Sequence, residues 1–278
     1  MQQDTIQDFT TALLNQGIQT KDSIIGDGLL HRAHVVGDKK GTKNLAYILH
    51  NDSKPSGWFQ HFSKGITGTW TANGKPRKLS AKEINQIQAD RKIREIEQAK
   101  SYQQTALKAR QIWQQSTPVH SHDYLTNKGI QANCARVFGN DLVIPLWNEQ
   151  REISTLQFIN SFGGKKFLTG GKKKDCFCPI GTPTDTILIC EGFATGASLH
   201  QDGGLFVACA MDSGNLESVA RVIRRLFRNA QIIVCGDNDL NQAGQNAAMK
   251  AAIACGGSYI YPPIEGMDYN DYLTMAGV

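Results

Sequence analysis

The sequence predicts an α/β chain whose C-terminal part is a Rossmann-like, doubly wound unit. Two segments carry that prediction: Thr186 to Gly192 (TILICEG) and Gln231 to Asp239 (QIIVCGDND). Each is a short, continuous run of aliphatic and β-branched residues, the pattern of a parallel strand buried on both faces. Each ends abruptly in carboxylates, Glu191 in the first and Asp237 and Asp239 in the second. Open α/β sheets place their ligand sites at the C-terminal ends of their strands. If these two strands are neighbours, three carboxylates meet on one edge and repel one another unless a cation sits among them. Hard oxygen donors suit Mg²⁺ or Mn²⁺ rather than zinc.

From the N-terminus, residues 1–78 read as a small α+β domain. Leu29–Val36, Leu45–His50 and Gly57–Phe62 are expected antiparallel strands, separated by Gly, Asp, Asn and Ser turns. Tyr47, Trp58, Phe59, Phe62 and Trp70 mix with His31, Arg32, His34, Lys39, Lys40, Lys43 and Lys64. Aromatics among cations suit either the core of a small sheet or a stacking platform for single-stranded nucleic acid. Residues 79–118 are expected to form one long helix. Ser80 to Glu83 has the form of a capping box, an apolar stripe drifts from Ile84 to Trp113, and Pro118 ends it. A helix this long and polar is expected to bridge two domains.

Residues 119–184 read as a basic α+β subdomain. Lys165, Lys166, Lys172, Lys173 and Lys174 lie among glycines, which let backbone approach phosphate closely. Lysine binds phosphate as a point charge, although Gly-rich turns with lysines are also ordinary hairpin tips. Residues 185–278 continue the doubly wound pattern. Leu205–Ala210 is a middle strand, and Leu216, Val219, Val222, Ile223 and Leu226 recur at helical spacing. A helix follows the acids through Ala252, and Ser258–Tyr261 closes a last strand before Pro262. The predicted order is β-α-β-α-β-α-β over about ninety residues, one small doubly wound unit.

Charge is unevenly spread along the 278 residues. Residues 1–184 hold 25 Lys and Arg against 15 Asp and Glu, whereas residues 185–278 hold 5 against 10. An acidic part beside a basic one suits an enzyme that grips a polyanion and does metal chemistry on it. Seven cysteines, none before Cys134, speak for a reducing cytoplasm and against a disulfide framework. Cys176 and Cys178 form a lone close pair, so no zinc requirement is expected. A polar N-terminus with Asp4 and Asp8 is unlike a signal peptide, and no membrane span is expected. No Gly-Lys is followed by Ser or Thr, so a P-loop motor is not expected either.

Glu191-Gly192 before one helix start, and Asp237-Asn-Asp239 before another, resemble the Toprim domain of DnaG-type primases, topoisomerases and some nucleases. The resemblance implies metal binding by Glu191, Asp237 and Asp239, with Asp268 and Asn270 or Asp271 as further contacts. His122 to Ile130, Leu142 to Trp147, Ile153 to Asn160 and the Gly-Lys segments 163–174 are similar to the basic subdomain that precedes Toprim in phage, phage-satellite and conjugative-plasmid primases. Together the two resemblances cover about residues 119–275. They imply a primase that makes short RNA primers on single-stranded DNA from ribonucleoside triphosphates. Lys128, Lys165, Lys166, Lys172, Lys173 and Lys174 would hold template or nucleotide phosphates, and a replicative helicase would be its partner. The same residues also admit a Toprim nuclease, or a DNA-binding replication accessory that does no chemistry.

Overall fold

The computed structural model describes residues 2–51, 55–72 and 81–277. The expected capping box begins at Ser80, outside the described residues. The chain divides into two compact units, Met1–Glu95 and Ile96–Val278.

In the first unit, α1 (Gln2–Asn15) precedes four strands, β1 (Asp27–Ala33), β2 (Leu45–His50), β3 (Ser56–His61) and β4 (Ile66–Thr71). They form an antiparallel sheet in the order β1-β2-β3-β4. Phe9 and Leu13 of α1 pack into the core with Tyr47, Leu49 and Phe59. The Phe9 ring lies 6.0 Å from Tyr47 and 6.3 Å from Phe59. Gly57 makes this possible, because a Cβ there would stand 2.5 Å from the Phe9 ring. Tyr47 and Phe59 are therefore core residues, not a stacking platform. Phe62 stays half exposed under the Arg32 guanidinium, 4.3 Å from the ring centroid.

Helix α2 (Ala81–Gln115) runs through the division at Glu95. Within the second unit its last turns place Ala109, Ile112 and Trp113 against Val143, Ile153 and Leu156. The helix stops before Pro118. Arg136 donates to the Trp113 carbonyl at 3.0 Å while its guanidinium covers the Trp113 ring, so a tertiary contact satisfies a helix-end carbonyl.

The second unit holds two sheets. Strands β5 (Thr117–Pro118), β6 (Arg136–Phe138), β7 (Asp141–Trp147), β8 (Ile153–Ile159) and β9 (Lys165–Phe167) are antiparallel in chain order, with the short helix α3 (Asp123–Lys128) after β5. Next come β10 (Cys178–Ile180), β11 (Thr186–Cys190), α4 (Phe193–Gly203), β12 (Phe206–Cys209), α5 (Leu216–Leu226), β13 (Gln231–Cys235), α6 (Ala243–Cys255), β14 (Ser258–Ile260) and α7 (Tyr269–Ala276). From β11 to β14 this is the β-α-β-α-β-α-β order the sequence predicts. The sheet order is β10-β12-β11-β13-β14, parallel except for β10. β10 lies upstream of residue 185 yet pairs with β12, so this sheet recruits a strand from the basic segment.

Alternation along β11 shows why its run is apolar throughout. Leu188 and Cys190 join the core that contains α4, while Ile187 and Ile189 join the core that contains α5 and α6. Cys178, Cys209, Cys190 and Cys235 lie in register across four adjacent strands. Helix α4 packs close over this row at Gly196, where a Cβ would meet both Cys209 and Cys190 sulfurs. No helix among the described residues is long and apolar enough to cross a membrane.

Candidate functional site

Strands β11 and β13 are direct neighbours, with Cys190 opposite Cys235 in parallel register. Glu191 and Asp237 therefore leave the sheet at the same edge. Burial raises the pKa of Asp237 to about 7, helped by the charges of Glu191, Asp268, Asp239 and Asp271. Asp237 Oδ1 is buried and has no hydrogen-bond partner among the described residues. Glu191 is also raised, first by burial and then by Asp212 and Asp239. These carboxylates sit close enough to oppose one another's ionisation, as the sequence pattern requires of them.

The turn after β13 is held by backbone and amide contacts. Asp239 Oδ2 accepts from the Gly244 N–H at 2.9 Å, at the start of α6. Gly244 has to be glycine, since a Cβ would stand 2.5 Å from the Asp237 carbonyl oxygen. Asn238 pins the turn to the tail: its amide nitrogen donates to the Pro262 carbonyl at 2.9 Å, and its side-chain oxygen accepts from Gln245 at 2.6 Å. The middle residue of Asp-Asn-Asp is thus a brace rather than a ligand.

A further carboxylate, Asp212, lies outside the set that the sequence predicts. It follows β12 and is the second-largest cause of the Glu191 shift. The signal was present, because Leu205–Ala210 is another apolar run that ends in an acid two residues on. Met211 holds a positive φ of 69° there, and its N–H donates to the Glu191 carbonyl at 2.6 Å. That contact binds the end of β12 to the end of β11.

The tail divides its polar residues between two jobs. Asp268 caps α7 by accepting from the Asp271 N–H at 2.9 Å, and its charge still reaches Asp237. Asp271 pairs with Lys128 at 3.1 Å. Asn270 is 1% exposed and donates to the Lys128 carbonyl and to Ser198 Oγ, both at 2.8 Å. It joins α7 to α3 and α4, which removes it from the candidate metal contacts.

The lysines do not form one patch on Gly-rich turns. Lys165 and Lys166 lie on β9, where successive side chains take opposite faces. Lys165 lies 5.8 Å from the Tyr124 ring centroid; loss of water and the charge of Lys128 lower its pKa, against Asp268, Glu191 and Asp237. Lys166 instead pairs with Asp141 at 3.4 Å. Lys173 pairs with Asp212 and lies over the Phe167 ring, while Lys172 pairs with Asp175 at 3.6 Å. Lys174 has no ion pair among the described residues. Lys128, Lys165 and Lys173 therefore stand with the acids, and Lys166 and Lys172 point their charges elsewhere.

Among the described residues, no three His, Cys, Asp or Glu side chains are drawn together closely enough to form a ready-made metal cage. The donor set nevertheless fits a hard cation. Glu191, Asp237 and Asp239 offer only oxygen, and the buried, unpartnered Asp237 oxygen is the kind of group a cation stabilises.

Residues 186–278 match the family model for the Toprim domain. Along most of its length the chain is similar to DNA primase TraC of Escherichia coli. One such relative is 31% identical over 279 residues, covering 92% of this chain and 19% of the relative. Another is 30% identical over 256 residues, covering 86% of this chain and 24% of the relative. The chain thus spans about a fifth to a quarter of the length of these relatives. Among solved structures, the DnaG primase catalytic domain bound to single-stranded DNA is 14% identical, with a TM-score of 0.45, over 64% of this chain and 77% of that one.

Proposed function

We propose, starting from a chain whose residues 186–278 are a Toprim domain and which is a relative of the TraC primases, that it is a nucleotidyltransferase making short RNA primers on single-stranded DNA. The observation that supports this reading best is the meeting of Glu191 and Asp237 on adjoining strand ends with the Lys165 amine among them. A polymerase has to hold a triphosphate and deprotonate a hydroxyl in one place, and this edge offers cations and bases together.

In the proposed reaction the 3′-hydroxyl of one nucleotide attacks the α-phosphate of the next. A P–O bond forms, the bond to the leaving oxygen breaks, and pyrophosphate departs. Glu191 and Asp237 have raised proton affinity, so either can take the hydroxyl proton when it is not engaged with metal. Lys165 and Lys173 face the acids and would meet the triphosphate oxygens. Lys128 would be released to phosphate from its exposed pair with Asp271. Glu191, Asp237 and Asp239, with Asp268 and Asp271 beside them, would hold Mg²⁺ or Mn²⁺, which supplies charge neutralisation at the reacting phosphate and the leaving pyrophosphate.

The proposed partners are single-stranded DNA, ribonucleoside triphosphates and a replicative helicase of the mobile element served. The proposed location is the cytoplasm. Incubation of the chain with labelled ribonucleotides, single-stranded DNA and Mg²⁺ or Mn²⁺ tests the reading. Dinucleotides and longer products support it. A shortened DNA strand would replace it with a Toprim nuclease, and no product of either kind with a binding accessory.

A further inference from the structure

Next to the acids, a cavity of about 670 Å³ opens between α3, the β8–β9 loop and α7. It shares Lys128 and Asp271 with the charged cluster, and Tyr124, Phe162 and Gly163 form much of its remaining wall. Phe162 is 96% exposed. Single exposed apolar residues are ordinary on protein surfaces, so exposure alone means little. The loop that carries Phe162, however, is built to hold it. The Gly163 and Gly164 N–H groups donate to the Asn160 backbone and side-chain oxygens at 2.9 and 2.7 Å, and the Asn160 N–H donates to the Gly164 carbonyl at 3.1 Å. Gly163 takes a φ of 80°, and a Cβ on Gly164 would stand 2.8 Å from the Asn160 amide. The turn is closed around Asn160, and Phe162 is left at its tip.

Across the cavity stands a different chemistry. Lys128 lines it, and the Lys165 amine lies 5.8 Å from the centroid of the Tyr124 ring. Tyr124 is 4% exposed, and its hydroxyl has no hydrogen-bond partner among the described residues. A flat apolar ring on one wall and the Lys128 cation on another, with the Lys165 amine beside the Tyr124 ring, match the two halves of a nucleotide. Proteins that hold single strands use this division, with bases stacked on aromatic rings and backbone tracked by positive charge.

We propose that this cavity takes one nucleotide unit, its base stacked on Phe162 and its phosphate met by Lys128 and Lys165. The proposal rests on the reading of the chain as a primer-making enzyme. It adds to that reading a base-holding residue outside the acidic edge. The unit is supplied either by a DNA strand or by a free ribonucleoside triphosphate, since base and phosphate are common to both.

The test uses the full chain and two fluorescent probes, a single-stranded oligodeoxynucleotide with one 2-aminopurine and 2-aminopurine riboside triphosphate. Stacking on an aromatic ring quenches 2-aminopurine. Wild-type chain is expected to quench one probe, and the arm that responds identifies strand or triphosphate as the source. Phe162→Ala should abolish the quench and weaken that probe's binding about tenfold, which is about 1.4 kcal/mol. Phe162→Trp should restore both. With Phe162 outside the core, the variants should melt like wild type. A wild-type chain that quenches neither probe overturns the proposal, as does a Phe162→Ala chain that quenches and binds the probes as wild type does. If that chain also makes primers normally, the primase reading survives alone. A Phe162-dependent quench in a chain that never makes primers keeps the nucleotide site and removes the primase.

Discussion

Cys190 stands opposite Cys235 in the parallel pairing of β11 and β13, and this register decides where the acids emerge. Glu191 follows Cys190 directly, whereas Asp237 follows Cys235 after Gly236. A one-residue slip would turn every side chain of one strand to the opposite face. It would move Cys190 and Leu188 out of the core they share with α4, so packing holds the acidic edge in register.

Asp237→Asn should abolish primer synthesis and stabilise the metal-free chain at neutral and higher pH. Burial and neighbouring acids raise the Asp237 pKa to about 7 from an ordinary 3.8, so the folded chain binds a proton that the unfolded chain has lost. Stability therefore falls as pH rises from about 4 to about 7. The amide removes that penalty and should recover roughly 1–2 kcal/mol at pH 8, after allowance for partial solvent access. Urea melts of wild type and variant across this range check it. Equal pH slopes for the two proteins would show that Asp237 is not the group responsible.

Divalent cations should raise the melting temperature of wild type more at pH 8 than at pH 5, because deprotonated acids bind them better. Asp237→Asn should remove most of that rise. Titration of Mg²⁺ and Mn²⁺ followed by thermal melting measures it without any turnover. An identical rise in the variant would take Asp237 out of the metal set.

Gly244→Ala should damage both fold and activity. The added methyl would meet the Asp237 carbonyl oxygen at 2.5 Å and Asp239 Oδ2 at 3.0 Å. Relief requires the acidic turn to move away from α6, at a cost of about 1–3 kcal/mol. Primer yield should fall at every metal concentration, in contrast to a defect that extra metal corrects. Wild-type melting and yield would show that the turn has slack the contacts do not suggest.

Asn270→Ala should cost about 1–3 kcal/mol, because it leaves the buried Ser198 hydroxyl and the Lys128 carbonyl without their partner. Asp271→Asn breaks only an exposed pair and should cost under about 1 kcal/mol. Metal affinity should respond in the opposite order. Calorimetric titration of both variants separates a brace from a ligand, and a metal defect confined to Asn270→Ala would reverse the two roles.

Lys165→Ala and Lys173→Ala should weaken nucleotide or strand binding more than Lys166→Ala or Lys172→Ala. The first pair faces the acids, and the second is directed to Asp141 and Asp175. Each lost contact to a single strand should lower the log–log salt slope by about 0.7. Equal slopes in all four variants would restore the picture of one undivided lysine patch.

Local pattern alone determined the doubly wound unit. Continuous apolar runs at Thr186–Cys190 and Gln231–Cys235, each five residues long and closed by acids, have the pattern of strands covered on both sides, and the carboxylates at their ends mark the ligand edge. Glu191 and Asp237 were legible because a strand-ending acid needs no distant partner to be noticed. Asp212 carried the same signal one strand over. What local pattern does not contain is pairing between distant segments. The recruitment of β10, the brace from Asn270 to Lys128 and Ser198, and the division of the lysines between site and surface all depend on residues far apart in the chain. Helix α1 is a similar case, since its sequence is neither polar nor apolar on average and only the sheet beneath it gives Phe9 and Leu13 a core to enter. Tertiary packing decided these points because a side chain's direction on a strand or helix acquires a consequence only when a neighbour is there to meet it.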